Sequence, residues 1–135
     1  MVEVEKVIVG LFPLVGDLLH SGHLLALQEA KKHCDKLVVA LNVKPDGKNP
    51  VESTYERFVR LKSCRFVDDI IPYEGENDLL TICQTFDYNI RFIGSDHQSW
   101  TGDKIEAERS IGFHHIKRMV GISSTDLKKR IKEHE

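Results

Sequence analysis

Apolar and polar positions fall into blocks of two lengths along this chain. Four short, largely apolar runs predict strands: Val7-Ile8-Val9-Gly10-Leu11-Phe12, whose continuous apolar run suits burial on both faces, Lys36-Leu37-Val38-Val39-Ala40-Leu41-Asn42 as a second buried strand, Phe66-Val67-Asp68-Asp69-Ile70-Ile71-Pro72 and Asn89-Ile90-Arg91-Phe92-Ile93-Gly94. Phe113-His114-His115-Ile116-Lys117 predicts a fifth. Longer amphipathic stretches between them predict helices from Leu18 to Cys34, from a Ser53 or Thr54 cap to about Cys64, from Asn77-Asp78 to about Phe86, and from Asp103 to about Ser110. Ser123-Ser124-Thr125 opens a last, strongly charged helix running from Asp126 to Glu135. Pro13 and Pro72 are expected to close their strands. Lys44 to Pro50, with two prolines and a glycine, and Ser95 to Gly102 are expected loops.

Strands that alternate with helices imply a parallel sheet covered on both faces. The expected fold is a three-layer α/β/α domain with a five-stranded parallel sheet, Rossmann-like, occupying residues 1–135 as one domain. Ligands in such sheets sit beyond the carboxyl ends of the strands. His20, His23, Lys44, Lys48, Ser95, Asp96 and Arg118 fall there.

Composition narrows the class. The 135 residues suffice for one core, and 41% hydrophobic with 30% charged residues is ordinary for a soluble globular chain. A net charge of −2 gives no bulk attraction to nucleic acid or to an anionic membrane, so neither is an expected partner. No apolar stretch approaches the ~20 residues of a membrane span. The acidic start, Met1 to Lys6, lacks a basic signal region. Cys34, Cys64 and Cys83 are widely spaced and odd in number, which argues for reduced thiols and a cytoplasmic location. No zinc-type cysteine spacing exists, and His114 and His115, as strand neighbours, point to opposite faces and cannot easily chelate one ion. No resident protein-bound metal is expected. His33, His97, His114, His115 and His134 are expected at the surface or at strand ends.

The most informative segment is His20-Ser21-Gly22-His23. Two imidazoles three apart, with a glycine between them, at a strand-to-helix turn suit a phosphate-handling device. Gly22 permits close approach of a ligand to the backbone. The helix start offers unpaired N–H groups and a positive dipole end. The histidines add donors near neutral pH.

Asp17-Leu18-Leu19-His20-Ser21-Gly22-His23 resembles the signature of the H-x-G-H nucleotidyltransferase superfamily. Arg118-Met119-Val120-Gly121-Ile122-Ser123-Ser124-Thr125 resembles the second signature of its small cytidylyltransferase branch, about 95 residues on. Arg65 to Ile71 and Phe92-Ile93-Gly94-Ser95-Asp96 resemble that branch's middle strand and its Gly-Asp-Asp strand end. The resemblance runs from about Lys6 to Ile131, at a stand-alone length similar to that of glycerol-3-phosphate cytidylyltransferases.

The resemblance implies in-line attack by an acceptor phosphate oxygen on the α-phosphorus of a nucleoside triphosphate, with pyrophosphate leaving. It implies CTP, or ATP, with Mg²⁺, and a small phosphorylated alcohol such as glycerol 3-phosphate as acceptor. It assigns His20, His23 and Arg118 to catalysis. It assigns Val15, Gly16, Asp17, Gly22, Lys48, Asp96, Gly121, Ile122, Ser123, Ser124 and Thr125 to the nucleotide, and offers Lys44 and Arg57 for the acceptor. Relatives of this kind are often dimers, so a homodimer is also an expectation.

Two departures stand out. The family's Gly-x-Phe-Asp is Leu14-Val15-Gly16-Asp17 here, and the lysines that contact glycerol phosphate have no clear equivalents, Asp46 and Leu79 falling near those places. An adenylyltransferase acting on a sugar phosphate, FMN or pantetheine phosphate is the rival enzyme, and a non-catalytic nucleotide-binding module the rival outside enzymes. Asp17 fits either a helix cap or an orienting group. Arg57 and Arg65 fit either ion pairs or nucleotide contacts. Trp100 fits loop packing or base stacking. Lys128 to Lys132 fit a solvated helix face.

Overall fold

A computed structural model describes residues 6–94, 103–117 and 123–135, the side chain of Ser124 apart. Among these lie β1 (Val9–Leu14), α1 (Ser21–Lys31), β2 (Lys36–Asn42), α2 (Thr54–Lys62), β3 (Asp69–Tyr73), α3 (Gly75–Thr85), β4 (Ile90–Ile93), α4 (Lys104–Glu108), β5 (Gly112–His115) and α5 (Ser124–Glu133). The strands form one sheet in the order β3-β2-β1-β4-β5, every pairing parallel. This is the expected Rossmann-like α/β architecture.

Side-chain alternation along the strands divides the core in two. Leu37, Val39 and Leu41 of β2 join Phe12, Phe92, Leu27 and Ala30 of α1, and Leu61 of α2 on one face. Val38 and Ala40 join Leu11, Tyr73, Tyr88, Ile111, and Leu79 and Cys83 of α3 on the other. Gly10 lets α1 and β4 close on β1: a Cβ there would lie 2.5 Å from the Phe92 ring and 3.0 Å from Cys34 Sγ.

Both prolines lie inside strands rather than ending them. Pro72 pairs with Leu41 on β3, an edge strand, where a missing N–H breaks no second ladder. Pro13 pairs with Ala40, while β4 pairs with β1 only at Gly10 and Leu11, so the strand's other flank is open at Pro13. The first strand accordingly begins at Val9 and ends at Leu14, later than expected. The first helix begins at Ser21, not Leu18, because Leu18 has φ of 50° and His20 is the extended cap residue. The third helix begins at Gly75, two residues before Asn77.

The chain leaves β1 toward β2 and β3, then returns to β4 on the other side. Such a reversal opens a crevice beyond the carboxyl ends of β1 and β4.

Candidate functional site

That crevice is a cleft of about 1400 Å³. Its walls include Gly16, Asp17, His20, Gly22 and His23 from the turn into α1, Lys44 and Lys48 from the loop after β2, and Ser123, Thr125 and Lys128 from α5. The two sequence segments singled out for phosphate binding therefore converge on one cavity as far as their described residues go.

The histidines are fixed by the main chain. His20 caps α1, its Nδ1 accepting the Gly22 N–H at 3.0 Å. His23 Nδ1 accepts the His20 N–H at 3.2 Å. With Nδ1 taken as acceptor, each neutral ring must carry its proton on Nε2, leaving that nitrogen a donor. The rings lie 4.0 Å apart at 32°. Burial, then the neighbouring His20, lowers the His23 pKa to about 4, against an opposing pull from Asp17. His23 is therefore neutral near pH 7.

The turn before them is held from a distance. Gly16 has φ of +68°, a conformation suited to glycine, and a Cβ there would also meet Leu14 Cδ1 at 3.0 Å. Asp17 does not cap α1. Its carboxylate accepts the N–H groups of Val51 and Glu52, both at 3.0 Å, while the Glu52 carboxylate accepts the Leu18 N–H at 2.7 Å. These reciprocal bonds latch the 16–18 turn to the start of α2 and hold Leu18 in its left-handed conformation. Burial pushes the Asp17 carboxyl upward, but the bonds from Glu52, Val51 and Lys128 outweigh it and keep the pKa below the ordinary value. Lys128 Nζ lies 3.3 Å from Asp17 Oδ2, tying α5 to the same turn. Lys128 is thus a cleft residue, not part of a merely solvated face.

Arg57, offered by the sequence as an acceptor contact, is 1% exposed and otherwise engaged. Its guanidinium donates to the carbonyls of Val15, Asn42 and Val43 at 2.9, 2.7 and 3.1 Å, clamping the ends of β1 and β2 together. Its Nε has no acceptor among the described residues. The Val15 carbonyl serves this clamp while Val15 itself borders the cleft. Arg65 is exposed, its guanidinium 4.9 Å from the Phe66 ring centroid.

Of the remaining expected residues, Lys44 and Lys48 are exposed on the cleft wall. The Ser123 hydroxyl accepts the Asp126 N–H and donates to Asp126 Oδ2, so it caps α5. Asp96, Trp100, Arg118, Gly121 and Ile122 lie outside the described residues, as does the Ser124 side chain. The residues that sequence reasoning missed are Glu52 and Arg57 in its actual role. Both bind main-chain groups far away in sequence, a kind of contact that leaves no local signal.

A family profile described as Cytidylyltransferase-like matches residues 15–130. The chain is 30% identical over 119 residues to a glycerol-3-phosphate cytidylyltransferase of Staphylococcus aureus, spanning 85% of this chain and 88% of that one. It is 28% identical over 130 residues to an ethanolamine-phosphate cytidylyltransferase of Dictyostelium discoideum, covering 85% of this chain but only 35% of that longer protein. The fold is similar to that of a lipopolysaccharide core biosynthesis protein from Thermoplasma volcanium, with a TM-score of 0.69 at 23% identity over 84% of this chain and 99% of that one. No helix among the described residues is long and apolar enough to cross a membrane.

Proposed function

The chain belongs to the cytidylyltransferase-like family of nucleotidyltransferase enzymes, and from that premise we propose that it transfers CMP from CTP to a small phosphorylated alcohol, glycerol 3-phosphate or a near analogue. An acceptor phosphate oxygen attacks the α-phosphorus, the bond to the β-phosphate oxygen breaks, and pyrophosphate leaves with that electron pair. Such transfers rest on positioning and charge stabilisation rather than covalent help from the protein.

The observation that carries this reading is the pair of main-chain-locked imidazoles facing the same cleft as the start of α5. Their Nε2–H groups would stabilise charge developing on the α-phosphate. A neutral His23 supplies a donor without adding charge to the empty cleft, and an arriving anion would raise its proton affinity. Lys48 and the N–H groups opening α5 would hold the outer phosphates, and Lys44 the acceptor. Arg118, Asp96, Gly121 and Ile122 join the nucleotide site on family resemblance.

Mg²⁺ belongs to the proposal as an ion carried by the nucleotide. Asp17, the carboxylate beside the glycine turn, has its oxygens engaged by Val51, Glu52 and Lys128, so it is no ligand of a protein cage. The donor set therefore fits an ion held mainly by phosphate oxygens and water, where it would neutralise charge on the leaving group.

Pyrophosphate release tests the reading, with CTP, ATP, GTP and UTP each crossed against glycerol 3-phosphate, phosphoethanolamine and phosphocholine, and against a sugar phosphate, FMN and pantetheine phosphate. CTP with one of the first three acceptors is the expected productive pair. Turnover with ATP alone, on a sugar phosphate, FMN or pantetheine phosphate, would replace it with the adenylyl reading. His20→Ala should lower turnover by about 100-fold or more, the scale for a lost charge-stabilising donor.

A further inference from the structure

The turn at the end of α1 and the edge strand β5 bring together three side chains that the nucleotide chemistry does not use. Glu29 and His33, one helical turn apart, meet His114 across the gap. His33 Nε2 lies 3.2 Å and His114 Nε2 3.6 Å from Glu29 Oε1, and the two imidazole centroids are 4.1 Å apart with the rings tilted by 34°. One ligand atom from each residue falls within 4.8 Å of the others.

We propose that Glu29, His33 and His114 form a divalent transition-metal site, best suited to Zn²⁺, that clips the end of α1 to β5. Two nitrogens and one carboxylate oxygen are the donor set of three-ligand zinc sites with an open fourth position. Bonds of 2.0–2.1 Å in a tetrahedron place ligand atoms roughly 3.3 Å apart, close to the two separations seen here. Imidazole nitrogens select this class of ion over Mg²⁺, which demands an oxygen shell. His115 is not needed: the second imidazole, His33, comes from the turn that follows α1, not from the neighbouring strand position. Lys32, the adjacent cation, is exposed and can turn its ammonium to solvent. Glu29 and His114 also border the cleft, so the open coordination position is reachable from solvent.

Tag-free full-length protein tests the site directly. Equilibrium dialysis with micromolar Zn²⁺ should load one ion per chain. Unfolding temperature should rise by about 5–10 °C at a hundredfold excess over the dissociation constant, and millimolar Mg²⁺ should not reproduce the rise. The His33→Ala/His114→Ala double variant should melt close to the wild type without metal and lose both loading and shift. Glu29→Gln, which keeps side-chain shape, should weaken binding tenfold or more. Co²⁺ substitution should give the visible absorption of a tetrahedral nitrogen–oxygen site in the wild type alone. A wild type that loads no Zn²⁺ overturns the proposal. So does a double variant that still loads it, because the ion would then sit elsewhere, with His20 and His23 or a thiol. None of these readouts depends on turnover, so failure here leaves the transferase reading standing.

Discussion

Two buried charge clusters flank the sheet, and they are built on opposite plans. Near the turn into α1, Asp17, Glu52 and Arg57 reach mostly for main-chain groups: the N–H groups of Val51, Glu52 and Leu18, and the carbonyls of Val15, Asn42 and Val43. Under α3 and α4, charge meets side chain. Glu106, fully buried, accepts from Arg91 Nη1 and from the Tyr88 hydroxyl, each at 2.7 Å. Burial first, then the Cys83 and Glu106 contacts, pushes the Tyr88 hydroxyl well above its ordinary range, so it stays a donor. The first cluster sets backbone shape where loops lack a ladder to satisfy them. The second fills a core position that apolar side chains of similar volume could also fill.

That difference predicts opposite responses to repair. Glu106→Ala should cost about 3–5 kcal/mol in urea unfolding, since it strands a buried guanidinium. Replacing all three partners, Arg91→Met and Glu106→Leu with Tyr88→Phe so that no buried hydroxyl is stranded, should bring stability back to within about 1 kcal/mol of the wild type. A triple variant as unstable as the single one would erase the contrast.

Arg57→Met should cost at least about 3 kcal/mol by removing three charge-assisted bonds to main-chain carbonyls, each worth ~1.5–3 kcal/mol before relaxation. No second apolar substitution can repair it, because the stranded partners are main chain. The KM for CTP should also rise, because Val15 and Asn42 border the cleft. Unchanged KM in a folded Arg57→Met protein would detach the clamp from the site.

The same contrast governs what the sequence disclosed. The parallel sheet was legible because β1 and β2, at its middle, write continuous apolar runs and because strand segments alternate with helical ones. His20 to His23 was legible because its chemistry is local, four residues at one helix start. Pro13 and Pro72 misled because a proline's cost depends on which flank of its strand is paired, a property of topology. The sequence leaves Asp17 between a cap and an orienting group for a related reason: its residue type suits a cap, but two N–H groups 34 and 35 positions away claim its oxygens. Glu52 and Glu106 were silent because a buried carboxylate looks like a surface one until its partners are known.

His23 supplies a pH test of the half of the molecule around the turn into α1. His23 titrates at about 4 when folded against 6.5 in the unfolded chain, so between those values the unfolded state binds more protons. Stability should therefore be level above about pH 6.5 and fall by up to about 3 kcal/mol as pH drops toward 4. His23→Asn, whose amide oxygen can still accept the His20 N–H, should flatten that part of the curve. An unchanged slope in this variant would move the acid sensitivity to other groups.

The smallest effect discriminates most finely. Lys128 is 40% exposed on its side chain and reaches Asp17 at 3.3 Å, a pair that screening reduces to about 0.5 kcal/mol or less. Asp17 keeps its two main-chain bonds without it, so the latch should survive Lys128→Met with little change in unfolding free energy. Lys128 also borders the cleft, where on the proposed reading a triphosphate would compete with Asp17 for its ammonium. On that account the KM for CTP should rise several-fold while kcat holds, and the rise should shrink at high salt as the Coulomb contribution is screened. A loss above 1 kcal/mol with KM unchanged would instead make Lys128 a third arm of the latch, and α5 a brace for the turn rather than a wall of the nucleotide site.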